Sequence, residues 1–204
     1  RGKEEKYGYD TGGRGENSRR PVHAVPFRVN LMEPALFSYE IGYAEVTIRD
    51  RAALLGVLRE IARSYAARIV CFDAEKLAGR VHAEAALRHA HRVFAQGSAI
   101  SNSFEMEALL YAAGTRQCSV AVPFGLHEGE NHLYVCCSPA PEGIWKVLAP
   151  HMQFGGEPDE CISPEKASRL MALFDIAAEE IAATGQDRIR DLVLERVALL
   201  DVSK

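Results

Sequence analysis

Residues 69–72 form an uninterrupted apolar run, Ile-Val-Cys-Phe, between two segments with helical periodicity. A run of this kind is typical of a strand that is covered on both faces of a sheet, and it predicts a central strand. Apolar residues recur at helical spacing over residues 50–66 before it, and a further helix is predicted over residues 80–95 after it. The chain is therefore expected to cover a sheet with helices.

The remaining pattern completes a single α/β domain. Alternating residues predict a first strand over residues 39–48, and a third strand is predicted over residues 132–138. Residues 153–159 are rich in Gly and Pro and are expected to form a loop. Further helices are predicted over residues 103–113, 116–124, 141–148, 163–174, 177–183 and 187–200. The expected fold is a small central sheet surrounded by helices, with a helix-rich C-terminal half and an undetermined strand direction.

Composition limits the class of protein. The chain is acidic, with a formal net charge of −4, so any nucleic-acid contact must be a local basic patch, and no DNA partner is expected. No apolar run is long enough to span a membrane, and no signal-peptide pattern is present, so a cytoplasmic protein is expected. Residues 1–31 form a polar tail predicted to be disordered, followed by a domain over residues 32–204, and Met32 is a plausible alternative start.

The five cysteines predict reduced side chains packed as small hydrophobic residues. No C-x-x-C pair occurs, and the adjacent Cys136 and Cys137 would point to opposite faces of a strand, which argues against zinc. Neither a metal nor a cofactor is predicted. Cys118 and His132 resemble a nucleophile and base only by composition, and no known catalytic motif is found. A binding or regulatory domain is therefore favoured over an enzyme.

The helix predicted over residues 80–95 is unusually basic. It carries arginines and histidines at positions 80, 82, 88, 89, 91 and 92 against a single acid, Glu84. One interpretation is a solvated face with cations near the helix C-terminus, which the helix dipole favours. The other is a local phosphate-binding face. His89 and His91 would point about 200° apart on a helix, so they are not expected to share a metal.

The stretch at residues 101–107, Ser-Asn-Ser-Phe-Glu-Met-Glu, has the signature of a helix start. Asn102 is predicted to cap the helix, Glu105 to close a capping box, and Gly114 to end the helix. The simplest interpretation is a structural helix. The alternative is a small-ligand-sensing domain that binds an anion at the free amides of residues 101–103.

The last helix is apolar on more than one side. Ile189, Val193, Val197 and Leu200 form one core-facing stripe, which leaves Leu194 and Leu199 on other faces. Such a helix is either deeply buried or shared with a partner.

Four segments together resemble the small kinase-binding subunit of the KEOPS complex, in its archaeal form. They are AISNSFEME at residues 99–107, AGTRQ at 113–117, FG at 124–125 and DLVLERVALLD at 191–201. The resemblance implies an α/β fold without catalytic activity that binds and supports an atypical kinase/ATPase subunit. It also implies contact through the complex with the transferase and dimerising subunits. The family captures tRNA by its single-stranded 3′ CCA end for threonylcarbamoylation of the adenosine next to the anticodon.

This resemblance gives the candidate residues their expected roles. Cations would meet the tRNA phosphates, Phe104 would stack a base, and Asn102 and Ser103 would read base edges or a terminal hydroxyl. The candidate tRNA contacts are Arg80, His82, Arg88, His91, Arg92, Asn102, Ser103, Phe104 and Arg116. The candidate kinase contacts are Leu194, Val197 and Leu200.

Overall fold

The sheet of the protein has four antiparallel strands in the order β2-β3-β1-β4. A computed structural model describes residues 37–156 and 161–201, so the predicted tail and Met32 lie outside the described residues. The strands are β1 (Glu40–Ile48), β2 (Arg68–Asp73), β3 (Gly129–Ser138) and β4 (Gln153–Gly155). This sheet with its surrounding helices confirms the predicted α/β fold class.

Two expectations about the sheet are wrong. The apolar run in β2 was predicted to be a central strand, but among the described strands β2 lies at the edge and pairs only with β3. Its residues are buried because helices cover both faces of the sheet at β2. An apolar run therefore indicates that both faces are covered, but it does not indicate whether the strand is central or at the edge. The loop predicted over residues 153–159 contains β4, which pairs with three residues of β1.

Eight α-helices surround the sheet in the described residues, most of them at the predicted positions. The predicted helix over residues 116–124 becomes a short α-helix and a 3-10 turn, because Pro123 lacks the amide hydrogen that would continue the helix. The helices are α1 (Arg51–Ser64), α2 (Arg80–Gln96), α3 (Phe104–Ala112), α4 (Cys118–Ala121), α5 (Ile144–Leu148), α6 (Pro164–Leu173), α7 (Ala178–Thr184) and α8 (Ile189–Leu199).

A hydrophobic core lies on each face of the sheet. Phe72 from β2 packs in the core that holds α2, α3 and α8, whereas Leu133 from β3 packs in the core that holds α1 and α5. Cys136 and Cys137 belong to different cores, which confirms that they point to opposite faces. None of the helices in the two described ranges is long and apolar enough to cross a bilayer.

Candidate functional site

The first turns of three helices meet around one open cavity of about 230 Å³. Gly79 and Arg80 begin α2, Ser163 caps α6, and Arg190 is the second residue of α8. All of these residues line the cavity. The first amides of a helix have no intrahelical acceptor, and the helix dipole places positive charge there. The backbone alone therefore favours an anion in this cavity.

Side chains add to this positive potential. The cavity is lined by the cations Arg80, Lys166, Arg169 and Arg190. Two of these cations pair with described carboxylates: Arg80 Nε lies 3.2 Å from a carboxylate oxygen of Glu84, and Arg169 Nη2 lies 2.6 Å from one of Glu75. The positive charge of the lining side chains exceeds the negative charge, so a phosphate or carboxylate ligand would be attracted.

Lys166 and Arg190 are held in place by backbone carbonyls. Lys166 Nζ donates to Ala74 O at 2.8 Å, and Arg190 Nε donates to Ala78 O at 3.1 Å. Partial burial lowers the pKa of Lys166, and the nearby Arg169 and Arg190 lower it further against the opposing effect of Glu75 and Asp73. The cationic side chains thus lie close to one another, as they do in many sites that bind an anionic ligand.

The opposite wall of the cavity is aromatic and comes from the sheet. Tyr43 and Tyr134 lie edge to face with their ring centroids 5.9 Å apart. The hydroxyl of Tyr43 lies 2.9 Å from Nδ1 of His132, which also lines the cavity. Aromatic rings beside cations can stack a nucleobase while the cations hold its phosphate.

A basic ridge runs from this cavity along α2. Arg80, Glu84 and Arg88 are spaced one turn apart, and Arg88 is exposed. Tyr39 lies beside them: burial and Glu84 raise its pKa, whereas Arg88 and Arg80 oppose that rise. The ridge therefore pairs a half-buried aromatic ring with two arginines.

The cations near the C-terminal end of α2 have internal partners instead. His89 Nδ1 lies 2.9 Å from Oδ2 of Asp201, Arg92 donates to the same oxygen, and the Tyr111 hydroxyl donates to Oδ1 at 2.6 Å. Burial raises the pKa of Asp201, but the hydrogen bonds from Tyr111 and Arg92 outweigh it and hold the pKa below the usual range. This cluster, the Asp201 network, ties the end of α8 to α2 and α3.

His91 is also occupied within the protein. Its Nε2 lies 2.8 Å from the hydroxyl oxygen of Ser138, which donates to the carbonyl of Ser38 at 2.9 Å. Its ring stacks on Phe37 with a centroid distance of 4.0 Å. Burial and the charge of Arg68 lower the pKa of His91 to about 4, so the ring is neutral near neutral pH.

Two predicted tRNA contacts face the interior. His82 is 0% exposed, its Nδ1 accepts the amide hydrogen of Ala78 at 3.2 Å, and burial lowers its pKa to about 3. Phe104 is 4% exposed, and the guanidinium carbon of Arg68 lies 4.3 Å from the centroid of its ring. Both side chains lie on the inward face of their helices, which leaves no ring surface for a base.

The start of α3 differs from the predicted cap. Ser103, rather than Asn102, caps the helix and accepts the Met106 amide, so the predicted box with Glu105 does not form. The buried carboxylate of Glu107 accepts the amides of Ile100 at 3.1 Å and Ser101 at 2.6 Å. The chain thus supplies its own carboxylate to the amide of Ser101, one of the three amides at the predicted anion site, and the amide of Ser103 donates to the hydroxyl of Ser101. Asn102, Ser103 and Arg116 are exposed but do not line the cavity.

The predicted kinase-binding residues include both buried and partly exposed side chains. Val197 and Leu200 lie in the core, whereas Leu194 is half-buried. Leu199, which also lies outside the predicted core-facing stripe, is 44% exposed. Leu194 and Leu199 lie about 140° apart on α8, so they flank its outer face on opposite sides. Val197 and Leu200 are accounted for by the core.

Most residues of the cavity were missed by sequence reasoning, which found only Arg80. A signal was present: Arg80, Lys166 and Arg190 lie in the first turns of helices, where the dipole disfavours cations. Cations at these positions do not stabilise the helix, so their presence indicates another role, such as ligand binding. The pairing of Cys118 with His132 is not seen, because His132 contacts Tyr43 while Cys118 is exposed on α4.

Comparison with known proteins gives no assignment. No protein-family model matches the chain, and no curated protein matches it at a significant level of similarity.

Proposed function

We propose that the protein is a non-catalytic accessory subunit of a cytoplasmic KEOPS complex. It binds and supports the atypical kinase/ATPase subunit, and it recruits tRNA through the 3′ CCA end for threonylcarbamoylation of the adenosine next to the anticodon. The resemblance of the four sequence segments to the kinase-binding subunit suggests this assignment. The structure contributes a site whose chemistry suits a single-stranded RNA end.

The observation that carries the RNA part is the cavity at the three helix starts. A terminal nucleotide of RNA offers a phosphate and an unstacked base. The cations Arg80, Lys166 and Arg190 suit the phosphate, and Tyr43 suits the base. The chain is acidic overall, so attraction of RNA depends on local basic patches such as this one.

The ridge on α2 suits the preceding nucleotides. Arg88 is exposed and lies two helical turns from Arg80, with the ring of Tyr39 beside both. Arginines and aromatic rings along one line are the usual elements of single-stranded RNA binding. Arg92 and His91 are assigned to the internal contacts described above.

The outer face of α8 is the proposed kinase contact. Leu194 and Leu199 present apolar surface on its two sides, and the exposed acids Asp191 and Glu195 lie between them. Apolar side chains beside charged ones are common in protein interfaces.

The RNA part is tested with intact tRNA and the same tRNA lacking CCA. We expect intact tRNA to bind at least about tenfold more tightly, with affinity falling as salt rises. Equal binding of both tRNAs would contradict the proposal. Inorganic phosphate or a mononucleotide that binds tightly, with no tRNA binding at all, would instead identify a small-anion sensor.

The kinase part is tested by co-purification with the candidate kinase subunit. Leu194→Glu with Leu199→Glu should abolish the complex, and Leu173→Glu on α6, which is also exposed, serves as the matched control. Deleting α8 is unsuitable because Ile189, Val193 and Val197 belong to the core. An unchanged complex with the double variant would refute this interface.

A further inference from the structure

The outer edge of β2 is unpaired in the part of the chain that the structure describes. β2 hydrogen-bonds to β3 on one side only. No backbone hydrogen bond joins Arg68–Asp73 to any other described segment. Alternate residues of an edge strand turn their N–H and C=O groups outward, where they form a template for another strand.

An apolar groove lies along this edge. Its volume is about 340 Å³, and it separates α1 from the start of α3. Ile69 and Cys71 of β2 contribute to its lining, Leu55 and Leu58 come from α1, and Leu109 comes from α3. A groove of this size accepts several apolar side chains. No residue of α8 or of the cationic cavity takes part.

The charges around the groove indicate the occupant. Arg51 and Arg59 line it from the exposed face of α1, and neither forms an ion pair with another described residue. Glu105 is the acid that lines it from α3. The α1 side is thus positive and suits an acidic residue in the occupant.

We propose that β2 and this groove bind an extended peptide segment of a partner protein by strand addition. The peptide pairs with the free edge of β2, places alternate apolar side chains in the groove, and directs an acidic side chain to Arg59. RNA is disfavoured because the groove is mostly apolar. A second copy is disfavoured because it would bring the same arginines together. The inference is independent of the proposed RNA and kinase functions.

The test begins with a random nonapeptide library displayed on phage and selected on the full chain. Enriched peptides should alternate apolar and polar residues and carry Asp or Glu at one end. The best peptide is then synthesised, labelled and measured by fluorescence anisotropy. Amide hydrogen exchange at residues 69–71 should slow when it binds. Methylation of alternate peptide nitrogens should weaken binding at least about tenfold by removing the strand hydrogen bonds.

Two variants locate the site. Leu109→Glu should abolish peptide binding, with Leu173→Glu as the exposed control. Arg59→Glu, which does not touch the core, should weaken binding about tenfold, and a peptide with lysine in place of its acid should recover it. Arg63→Glu on the same helix lies outside the groove and should bind like the unmodified chain.

Several results would overturn the proposal. One is a selection whose peptides bind Leu109→Glu and Arg59→Glu as well as the unmodified chain, or that yields no binding peptide. Another is full affinity of the methylated peptide. Protection of residues 69–71 in the free chain that the peptide does not change would mean that the chain covers its own edge. Loss of a dimer in Leu109→Glu would identify a second copy, and competition by RNA oligonucleotides would identify RNA.

Discussion

The two ends of α2 carry the same kinds of side chain in different circumstances. At the C-terminal end, Arg92 and His89 share the carboxylate of Asp201. At the N-terminal end, Arg80 faces a cavity with Lys166, Arg169 and Arg190, where positive charge exceeds negative charge. The helix dipole would favour cations at the first of these ends and disfavour them at the second.

The difference separates a structural role from a binding role. Cations with an internal carboxylate partner stabilise the packing of α8 on α2. Cations gathered where the dipole opposes them repel one another, and a bound anion would reduce that repulsion. The comparison makes predictions that differ for the two ends of the helix.

The largest effect is expected from the cationic cavity. The double variant Lys166→Glu, Arg169→Glu should weaken tRNA binding about a hundredfold, because each reversal replaces attraction of the phosphates by repulsion. The measurement is filter binding or fluorescence anisotropy at fixed salt, after circular dichroism shows that the fold is kept. Arg63→Glu on α1 is the matched control, because it lies outside the cavity. Equal losses in both proteins would remove the distinction between the cavity and the general surface.

The Asp201 network should instead affect stability. Asp201→Asn weakens the hydrogen bonds that Arg92 and Tyr111 donate to the carboxylate and should lower the free energy of unfolding by about 2 kcal/mol. Urea denaturation measures this change. The control is Asp191→Asn, whose exposed pair with Arg188 should contribute less than about 1 kcal/mol. Similar losses in the two variants would show that the network stabilises no more than a surface pair.

The pH dependence sharpens the structural role of the C-terminal end. The pKa of His91 is about 4 in the folded protein against an ordinary value of 6.5. Below pH 6.5 the unfolded chain takes up a proton that the folded chain does not, so stability is lost as pH falls toward about 4. The loss is at most about 1.4 kcal/mol per pH unit for one group.

Replacement of His91 tests this assignment. His91→Gln should reduce the slope of unfolding free energy against pH between about 6.5 and 4 more than the exposed His151→Gln does; buried His82 keeps part of the slope in both variants. Urea titrations at several pH values provide the slope. An identical slope in both variants would mean that other groups cause the acid sensitivity.

The smallest effect is expected from the ridge between the two ends. Arg88→Glu should weaken tRNA binding about threefold to fivefold without loss of stability, because Arg88 is exposed and meets RNA outside the cavity. Arg92→Glu should lower stability instead, since it places a carboxylate against Asp201. If Arg92→Glu weakened RNA binding more than Arg88→Glu at unchanged stability, the roles of the two ends would have to be exchanged.

Local signals in the sequence located the secondary structure well. Asp50 caps α1 and Ser163 caps α6 at the starts of the predicted helical ranges, and Gly114, predicted to end α3, has a positive φ of 59°. These features depend on neighbouring residues, so a sequence window contains the necessary information. The positions of whole strands in the sheet were harder to predict from the sequence. The edge position of β2 and the presence of β4 depend on pairing between distant segments.

The candidate site shows the same division. Residue types and spacing identified α2 as basic, but they did not show which of its cations face solvent. His82, Phe104 and Val197 resemble surface contacts by their type or motif and are buried by packing. Asp201 is distant in sequence from its partners on α2 and α3.

The sequence by itself determined the α/β class, most helix positions and the concentration of basic residues on one helix, because these follow from the order of neighbouring residues. Only the tertiary structure decided which of those basic residues join the Asp201 network and which lines the open cavity. It also placed the starts of α2, α6 and α8 together and left one edge of β2 without a partner strand among the described residues. Charge neutralisation and burial depend on segments far apart in the chain, and folding alone brings those segments into contact.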